Sequence, residues 1–410
     1  MRKLVLKQGM VILFLGLVAF GCKKDEDKSV PEAPIEVATD STELVAPPDS
    51  EVGTPVTNEG VVANPDNEVV VGAPPAGEAT AAPSPAPVSP STAGNVVPSA
   101  PSKPAQVVSN STTTSTTTSS TATEVPIGYA AVNGITTGGK GGATVTVSTL
   151  SALQNAARST SSTIIIVKGT IRGTEGITVK SNKTIIGEPG ATLDGPGLLM
   201  YNVSNIIVKN LTIKNAASTD GITIKDQTHH VWIDHCTFAD PQYDGNLDIT
   251  QQSDFITVSW CKFTGSSLNT LIGGGDESTS DKGKLNVTYH HNYFYNNYER
   301  NPSIRFGRAH VFNNYYQNTW TSTAGYGIAS RMGAIVRAEN NYFDIRSNPL
   351  ITIGPTHGYF SAVSTNIFKN TGRNKIQTEE SDWAPTYTYK SALIAAEDVP
   401  SVVKAGAGAI

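Results

Sequence analysis

The chain has 410 residues, of which 37 are Gly, 24 are Pro and only 3 are Cys, and its formal net charge at neutral pH is -5. This modest acidic charge argues against nucleic acid as a partner, because nucleic-acid-binding domains carry a basic patch or stripe. Two or three domains would fit the length. Composition favours fewer, because only the part after the first third alternates Val, Ile, Thr, Tyr and Asn with turn residues.

Residues 1–22 have the pattern of an export signal. A basic start precedes the apolar run Val11–Phe20, which is too short to span a membrane as a stable helix. Cys22 directly follows Gly21 and resembles the lipidated residue of bacterial lipoproteins. The resemblance implies a secreted or cell-surface protein, attached to a bacterial outer membrane only through that lipid. A signal peptide that is cut elsewhere is the alternative.

Residues 23–126 are predicted to form a disordered linker. They are rich in Pro, Ala, Ser, Thr, Val and Glu. Such a segment cannot bury enough apolar surface to offset the entropy lost on ordering the chain. We interpret the linker as a tether for a folded domain over residues 127–410, and a small folded domain within the linker is the alternative.

The first regular element of the folded domain is predicted to be a short helix over residues 151–158. Leu153 and Ala157 are four residues apart and therefore lie on one face of a helix. Ser148 or Thr149 stands where a hydroxyl side chain can cap the first turn. The remaining chain has no comparable helical pattern until its end, so we expect an all-β fold with this one helix at its start.

A column of residues recurs at intervals of about 25 in the second half of the chain, and each member is preceded by a short β-rich segment. The members of the column are Leu211, Cys236, Cys261, Asn292, Asn314, Asn341 and Asn366. Two positions after each stand Ile213, Phe238, Phe263, Phe294, Tyr316, Phe343 and Phe368. A repeat of this length with strands and no helices predicts a parallel β-helix, whereas a β-propeller would need about four strands in a longer repeat.

Side chains that recur at one place in a solenoid stack in ladders along its axis. Asn suits an inward turn, because its amide can bond both the backbone and the next Asn. Cys236 and Cys261 fall in the same column on adjacent turns, within reach of a disulfide. Stacking in register aims the two thiols in parallel, which is poor geometry for the bond. A disulfide and a pair of stacked free thiols both remain open.

Two arginines stand out in the second half of the chain. Arg300 and Arg305 are five residues apart, with Pro302 between them and Gly307 after them. This spacing and the proline argue against a helix interior. The planar guanidinium group suits recognition of carboxylates. The alternative is a pair of surface salt bridges.

Several motifs of this chain, in their order, resemble polysaccharide lyase family 1, the pectate lyases. The motifs are Asn182-Lys-Thr-Ile-Ile-Gly187, Asp220-Gly-Ile-Thr-Ile, Val231-Trp-Ile-Asp-His235, Tyr243-Asp-Gly-Asn-Leu-Asp-Ile249 and Arg300-Asn-Pro-Ser-Ile-Arg-Phe-Gly307. The resemblance extends from about Ile127 to the end. It implies a right-handed parallel β-helix, active as a monomer, that cleaves α-1,4-polygalacturonate by calcium-dependent β-elimination and releases unsaturated oligogalacturonates.

The resemblance also implies roles for individual residues. Asp220, Asp244 and Asp248 match the calcium-binding carboxylates, and their hard oxygen atoms suit Ca²⁺ in any case. Arg300 matches the residue that abstracts the proton beside the uronate carboxylate, and Arg305 matches the residue that binds this carboxylate. The alternative for each Asp is a cap on a turn.

One position departs from the family pattern. Many relatives carry a substrate-binding Lys where this chain has Leu268, and the candidates for a substitute cation are Lys262, Lys282 and Lys284. The departure favours a second hypothesis, a non-catalytic pectin-binding surface module. A pectin lyase that acts on methylated substrate is a third hypothesis, but such relatives lack the full carboxylate set.

Overall fold

The computed structural model describes residues 62–63, 69–70, 124–216, 218–239, 244–319 and 321–410. The predicted leader with Cys22 and nearly all of the predicted linker lie outside the described residues. Within the predicted linker, two short described strands, Val62–Ala63 and Val69–Val70, pair antiparallel. Within the described part of the chain, no helix is long and apolar enough to cross a membrane.

From residue 143 onward the chain coils through three parallel sheets of ten, nine and eight strands, and successive turns add one strand to each sheet. Sheet 1 contains Ala143–Val147, Thr163–Val167, Lys183–Gly187, Ser204–Lys209, His229–Asp234, Asp254–Ser259, Asn286–His290, Arg308–Phe312, Ile335–Glu339 and Tyr359–Ser361. Sheet 2 contains Thr170–Arg172, Thr192–Asp194, Thr212–Lys214, Thr237–Ala239, Lys262–Thr264, Tyr293–Tyr295, Tyr315–Gln317, Tyr342–Asp344 and Ile367–Phe368. Sheet 3 contains Ile177–Thr178, Leu198–Tyr201, Ile222–Lys225, Leu247–Ile249, Thr270–Ile272, Ser303–Arg305, Tyr326–Arg331 and Asn348–Thr352. The predicted parallel β-helix is confirmed.

Helices are short in the described residues. The two α-helices are α1, Leu150–Arg158, and α2, Val399–Gly406. The 3₁₀ turns are Tyr129–Ala131, Thr279–Asp281, Val363–Thr365, Lys390–Ala392 and Ala396–Asp398. The predicted N-terminal helix is confirmed, and Thr149 is its cap, because the Thr149 hydroxyl accepts a hydrogen bond from the backbone N–H of Ala152 at 3.3 Å.

Side chains alternate between the core and the outer surface along each strand, as the pleat requires. In sheet 1, Ile206 and Val208 pair in register with Val231 and Ile233 on the next turn, and all four are fully buried. β-Branched residues suit such a surface, and each buried side chain of this size contributes about 1.5–3 kcal/mol. The register therefore follows from which residues face inward.

The predicted asparagine column forms a ladder, which we call the core ladder: Asn292, Asn314, Asn341 and Asn366. The side-chain oxygens of Asn314, Asn341 and Asn366 each accept hydrogen bonds from the backbone and side-chain N–H groups of the Asn one turn earlier, at 2.9–3.0 Å. The ladder continues into the cysteine pair, where the Cys236 backbone N–H lies 3.4 Å from the Cys261 sulfur. Both thiols are free. The alternative of stacked thiols is therefore the one the structure contains.

The predicted aromatic column stacks face to face inside the coil. Ring centres are 4.8 Å apart for Phe238–Phe263, 5.0 Å for Phe263–Phe294, 4.8 Å for Phe294–Tyr316, 4.3 Å for Tyr316–Phe343 and 5.3 Å for Phe343–Phe368. These separations match the spacing of neighbouring strands. The stack fills the core beside sheet 2 on five consecutive turns, and Phe368 extends it at a more exposed position on the last turn.

Both ends of the coil are covered. Helix α1 lies over the N-terminal end and buries Leu153 and Ala157 completely against the core. At the other end the chain crosses back over the last turn, where the Ser381 N–H donates to the Phe360 carbonyl at 2.7 Å. Ile376 packs against the core from this crossing segment. The apolar interior is thereby shielded from water at both ends.

A buried carboxylate ties the C-terminal segment to sheet 1. Glu339 accepts hydrogen bonds from Arg337 at 2.8 and 3.1 Å and from Lys390 and the Tyr389 hydroxyl at 2.8 Å, and His310 lies 3.2 Å away. Burial raises the pKa of Glu339, but these hydrogen bonds outweigh burial and lower it far below its usual range. The carboxylate therefore stays charged in the folded protein.

We predict that Glu339→Gln lowers the free energy of unfolding at pH 7 by about 2–3 kcal/mol, because the hydrogen bonds from Arg337, Tyr389 and Lys390 lose their charged acceptor. A carboxylate whose pKa is lowered by folding stabilises the protein above its unfolded pKa, near 4.3, and this stability is lost as the pH falls below it. Urea unfolding between pH 7 and pH 3 should therefore show a flatter pH dependence for the variant. Glu397→Gln, at an exposed acid, is the control. Equal pH profiles for Glu339→Gln and the wild type would contradict the prediction.

Candidate functional site

A second asparagine ladder, absent from the sequence-based prediction, lies in the turns that lead into sheet 3. We call it the site ladder: Asn246, Asn269 and Asn301. The Asn246 amide donates to the Asn269 side-chain oxygen at 2.7 Å, and the Asn269 amide donates to Asn301 at 2.7 Å. All three side chains are buried, at 0, 1 and 3% exposure. This ladder fixes how three consecutive turns stack at the entrance to sheet 3.

The predicted site residues flank the site ladder on adjacent turns. Asp244 and Asp248 stand two residues before and after the first ladder amide, Leu268 precedes the second, and Arg300 precedes the third. The amides are buried, whereas Asp244 is exposed and the other three flanking residues are half-buried. The ladder thus holds these side chains at the outer surface of the coil, where a ligand can reach them.

The structure brings two of the three predicted carboxylates, Asp220 and Asp248, together beside Gly245. Asp220 lies one turn before Asp248, because Ile222–Lys225 pairs in parallel with Leu247–Ile249. The carboxylate of Asp220 accepts hydrogen bonds from the Gly245 N–H at 3.0 Å and from the Thr223 hydroxyl at 2.8 Å. A Cβ atom added at Gly245 would lie 3.0 Å from an oxygen of Asp248 and 3.3 Å from one of Asp220. A glycine here lets the carboxylates approach the backbone.

The carboxylates act on one another electrostatically. Burial, and then the charges of Asp220 and Asp244, raise the pKa of Asp248 well above its usual range, and the Arg300 charge opposes this shift. Burial raises the pKa of Asp220, with a smaller contribution from the charge of Asp244. Acidic groups held this close favour either a proton or a bound cation.

Hard oxygen donors of this kind match the ligands that Ca²⁺ prefers. As they stand, no three His, Cys, Asp or Glu side chains among the described residues converge tightly enough to hold a metal ion by themselves. The donor chemistry therefore fits calcium. A complete coordination sphere would need additional oxygen atoms, from a ligand or from water.

Arg300 enters the site from an unusual backbone conformation. Its φ angle is 59°, in the left-handed region, and the following Asn301–Pro302 peptide bond is cis. Its carbonyl accepts a hydrogen bond from the Thr270 N–H at 2.7 Å, which ties it to the previous turn. Its charge lowers the pKa of Asp248, so the guanidinium lies within electrostatic range of that carboxylate.

Arg305 is held by an acidic residue that the sequence analysis missed. Its Nε donates to Asp276 at 2.6 Å, and Nη2 of Arg331 donates to the other oxygen of the same carboxylate at 2.9 Å. Arg305 and Arg331 pair in register on neighbouring strands of sheet 3. Their side chains are only 5 and 3% exposed. One carboxylate thus bridges two buried guanidinium groups.

The charge balance of this group favours an anionic ligand. Burial raises the pKa of Asp276, but the hydrogen bond from Arg305 and the charge of Arg331 outweigh it and lower the pKa overall. The carboxylate is therefore ionised, and the three side chains together carry one net positive charge. The sequence signal was weak, because Asp276 lies in the non-repeating segment before Asn286–His290.

The structure also shows what surrounds the position of the missing lysine. Leu268 is half-buried and its backbone bridges to Glu299 on the next turn, so its side chain is not part of the core. Lys262 lies on sheet 2 with Nζ 5.8 Å from the centre of the Tyr293 ring. The predicted substitute Lys262 is therefore on a different face from the site. Lys282 and Lys284 are exposed in the segment between the sheet 3 strand Thr270–Ile272 and the next strand, Asn286–His290.

Comparisons with known proteins match most of the chain to one family. A family model described as pectate lyase matches residues 104–410. A pectate trisaccharide-lyase of Bacillus licheniformis is 36% identical over 301 residues, which cover 68% of this chain and 85% of the relative. A probable pectate lyase B of Aspergillus terreus is 41% identical over 54% of this chain and 70% of its own. The solved structure of a pectate lyase from Bacillus sp. N165 in complex with trigalacturonate has 31% identity and a TM-score of 0.57, and the match covers 69% of this chain and 98% of that one.

We predict that Asp276→Asn lowers the free energy of unfolding by about 3 kcal/mol, because it leaves two buried guanidinium groups without a counter-charge. Adding Arg331→Met to this variant should restore part of the loss, since one unpaired charge is then removed. Urea unfolding of the two single variants and the double variant measures this coupling. Additive effects of the two substitutions would show that Asp276 and Arg331 do not stabilise each other.

Proposed function

The chain belongs to the pectate lyases of polysaccharide lyase family 1, and from this membership we propose that it cleaves α-1,4-linked polygalacturonate by calcium-dependent β-elimination. The observation that carries the proposal is the grouping of three carboxylates and two arginines along one side of the coil. An acidic galacturonan is the substrate that such a site would bind. The relative that was solved with trigalacturonate supports this substrate class.

The two arginines divide the chemistry between them. Arg305 binds the carboxylate of the uronate whose ring loses a proton, and the Asp276 bridge keeps its guanidinium in place. Arg300 accepts the proton from C5 of that ring. The electron pair of the C5–H bond forms the C4–C5 double bond, the bond between C4 and the glycosidic oxygen breaks, and this oxygen takes up a proton. The products are a new reducing end and an unsaturated oligogalacturonate.

Arginine is a weak base at neutral pH. Its ordinary pKa lies above about 12, so only a small fraction of guanidinium groups can accept a proton near pH 7. We therefore expect the rate to rise with pH into the alkaline range.

Asp220, Asp244 and Asp248 are the residues proposed to hold calcium. When bound, the ion would neutralise these carboxylates and draw electron density from the uronate carboxylate, which acidifies the C5 proton. The raised pKa values of Asp220 and Asp248 support the assignment, because burial and then neighbouring carboxylate charges disfavour their ionised forms, and a bound cation would relieve both effects. Uronate oxygens can complete the donor set.

A second candidate function is non-catalytic binding of pectin. Leu268 favours it, because many family members carry a substrate-binding Lys at this position. The bridging of Arg305 and the position of Arg300 beside Asp248 favour catalysis. Action on methylated pectin is disfavoured, since all three carboxylates are present. Both candidate functions predict that the protein binds polygalacturonate, and they differ only in whether the polysaccharide is cleaved.

The deciding experiment measures the ultraviolet absorbance of unsaturated product from polygalacturonate, with and without a calcium chelator. We expect product with calcium, none with chelator, and recovery when calcium is added back. Arg300→Lys should lower kcat at least about 100-fold, because the replaced group takes the proton. Retention of more than about a tenth of the activity would remove Arg300 from this role. Arg158→Lys, at an exposed position of α1 over the N-terminal end of the coil, is the matched control.

Two results would contradict the proposal. If the wild type releases no unsaturated product but its migration is slowed in a gel that contains polygalacturonate, the protein is a binding module. If product forms equally well with chelator, the carboxylates do not hold a required metal. Chromatography of the products would also show whether trimers dominate, as the name of the Bacillus licheniformis relative suggests.

We also propose that the protein is exported and anchored to the outer membrane through a lipid on Cys22. The basic start, the apolar run and the Gly21-Cys22 pair of the sequence support this location. Expression in a bacterium with labelled palmitate should give a labelled membrane-bound protein. Cys22→Ala should abolish the label and release the protein from the membrane. Label that persists in the variant would refute the anchor.

A further inference from the structure

Lys225 lies on the outer face of sheet 3, in the same row as Arg305. Ile222 and Ile224 of its strand are fully buried, so Thr223 and Lys225 point outward. The registers of the intervening strands, continued by one residue through Thr250 and Gly273, align Lys225 with Arg305. Three strand spacings separate the backbones of the two residues, roughly 14 Å. The row runs along the coil axis, past the carboxylates.

An aromatic ring holds the lysine. Lys225 pairs in register with Tyr201, and its Nζ lies 4.4 Å from the centre of the Tyr201 ring. Burial, followed by the charges of Asp220 and Asp226, raises the pKa of Tyr201, so the ring also lies close to the carboxylate group. A cation over an aromatic face keeps its charge while its side chain loses mobility. Lys225 is therefore a positioned cation at the edge of the proposed site.

A polar cleft lies beyond the strand ends at this edge. Its volume is about 380 Å³, and its lining includes the amides of Gln227 and Gln251 and the hydroxyls of Ser278 and Ser280. Amides and hydroxyls are suited to bind sugar hydroxyl groups. Two acids also line the cleft. Asp281 is buried and accepts a hydrogen bond from the Gln252 N–H at 2.6 Å, whereas Asp226 is exposed and would repel an anionic chain.

We propose that Lys225, held by Tyr201, binds the carboxylate of a uronate residue several sugars away from the scissile bond. This outer subsite rests on the proposed function, because it presumes that a galacturonan lies along sheet 3. The exposed charge of Asp226 weakens the attraction without abolishing it. Lys225 does not substitute for the lysine missing at Leu268, since it is the last residue of a sheet 3 strand, whereas Leu268 precedes such a strand.

The test compares Lys225→Met with Lys225→Arg on long and short substrates. Met keeps the apolar stem over Tyr201 and removes the charge, whereas Arg keeps both. On polygalacturonate we expect Lys225→Met to raise KM about two- to fivefold with kcat unchanged, the scale of one exposed charge contact. On trigalacturonate, which is too short to reach both cations, kinetics should match the wild type. Lys225→Arg should restore the wild-type KM.

Lys262→Met is the matched control, because Lys262 lies over Tyr293 in the same manner but on sheet 2. It should leave both substrates unaffected. Asp226→Asn should lower KM for the polymer, since it removes a repulsive charge. Equal KM values for Lys225→Met and the wild type on the polymer would overturn the subsite. So would a rise in KM of the same size on trigalacturonate.

Failure of the subsite and failure of the proposed function are distinguishable. A wild type that releases unsaturated product, with a Lys225→Met variant of unchanged KM, refutes the subsite alone. A wild type that releases no product refutes the lyase activity. Retardation in gels that contain polygalacturonate then tests the subsite. If Lys225 binds a uronate, Lys225→Met should be retarded less than the wild type, and its retardation should depend less on salt.

Discussion

The parallel stacking of strands in register is the constraint on which the rest of this structure depends. It gives every residue a fixed neighbour on the turn before and the turn after, and buried amides keep the turns from sliding. In the site ladder, one amide passes its hydrogen bond to the next at 2.7 Å. Residues that are distant in the chain, such as Asp248 and Arg300, become neighbours because the amides beside them are bonded to a common partner.

Electrostatics and packing oppose each other at the outer face of sheet 3. Burial, reinforced by neighbouring carboxylate charges, raises the pKa values of Asp220 and Asp248, and two buried guanidinium groups share a single carboxylate. Neither arrangement is what stability alone would select, because like charges in a partly buried setting are unfavourable. The hydrogen-bonded coil beneath supplies the stability, and the surface residues are left to serve binding and chemistry.

The sequence predicted the repeating part of the molecule well and the rest poorly. The core ladder and the aromatic stack could be located residue by residue, because their period survives in the sequence. The site ladder has the same chemistry, but Asn246, Asn269 and Asn301 are separated by 23 and 32 residues, so no period was apparent. Asp276 lies in a loop segment that has no repeat, so nothing in the sequence indicated its bridge to Arg331. Only the folded structure shows that this loop carboxylate contacts side chains on two strands.

The covered ends of the coil determine how the molecule behaves among copies of itself. A solenoid with uncovered ends would expose unpaired strands and an open apolar interior. The next molecule could then stack onto either end and extend every sheet. Helix α1 and the crossing segment with Ile376 close those two surfaces. Without this covering, copies of the coil could stack end to end into a fibre. A few residues at each end of the coil therefore limit each sheet to the strands of one chain.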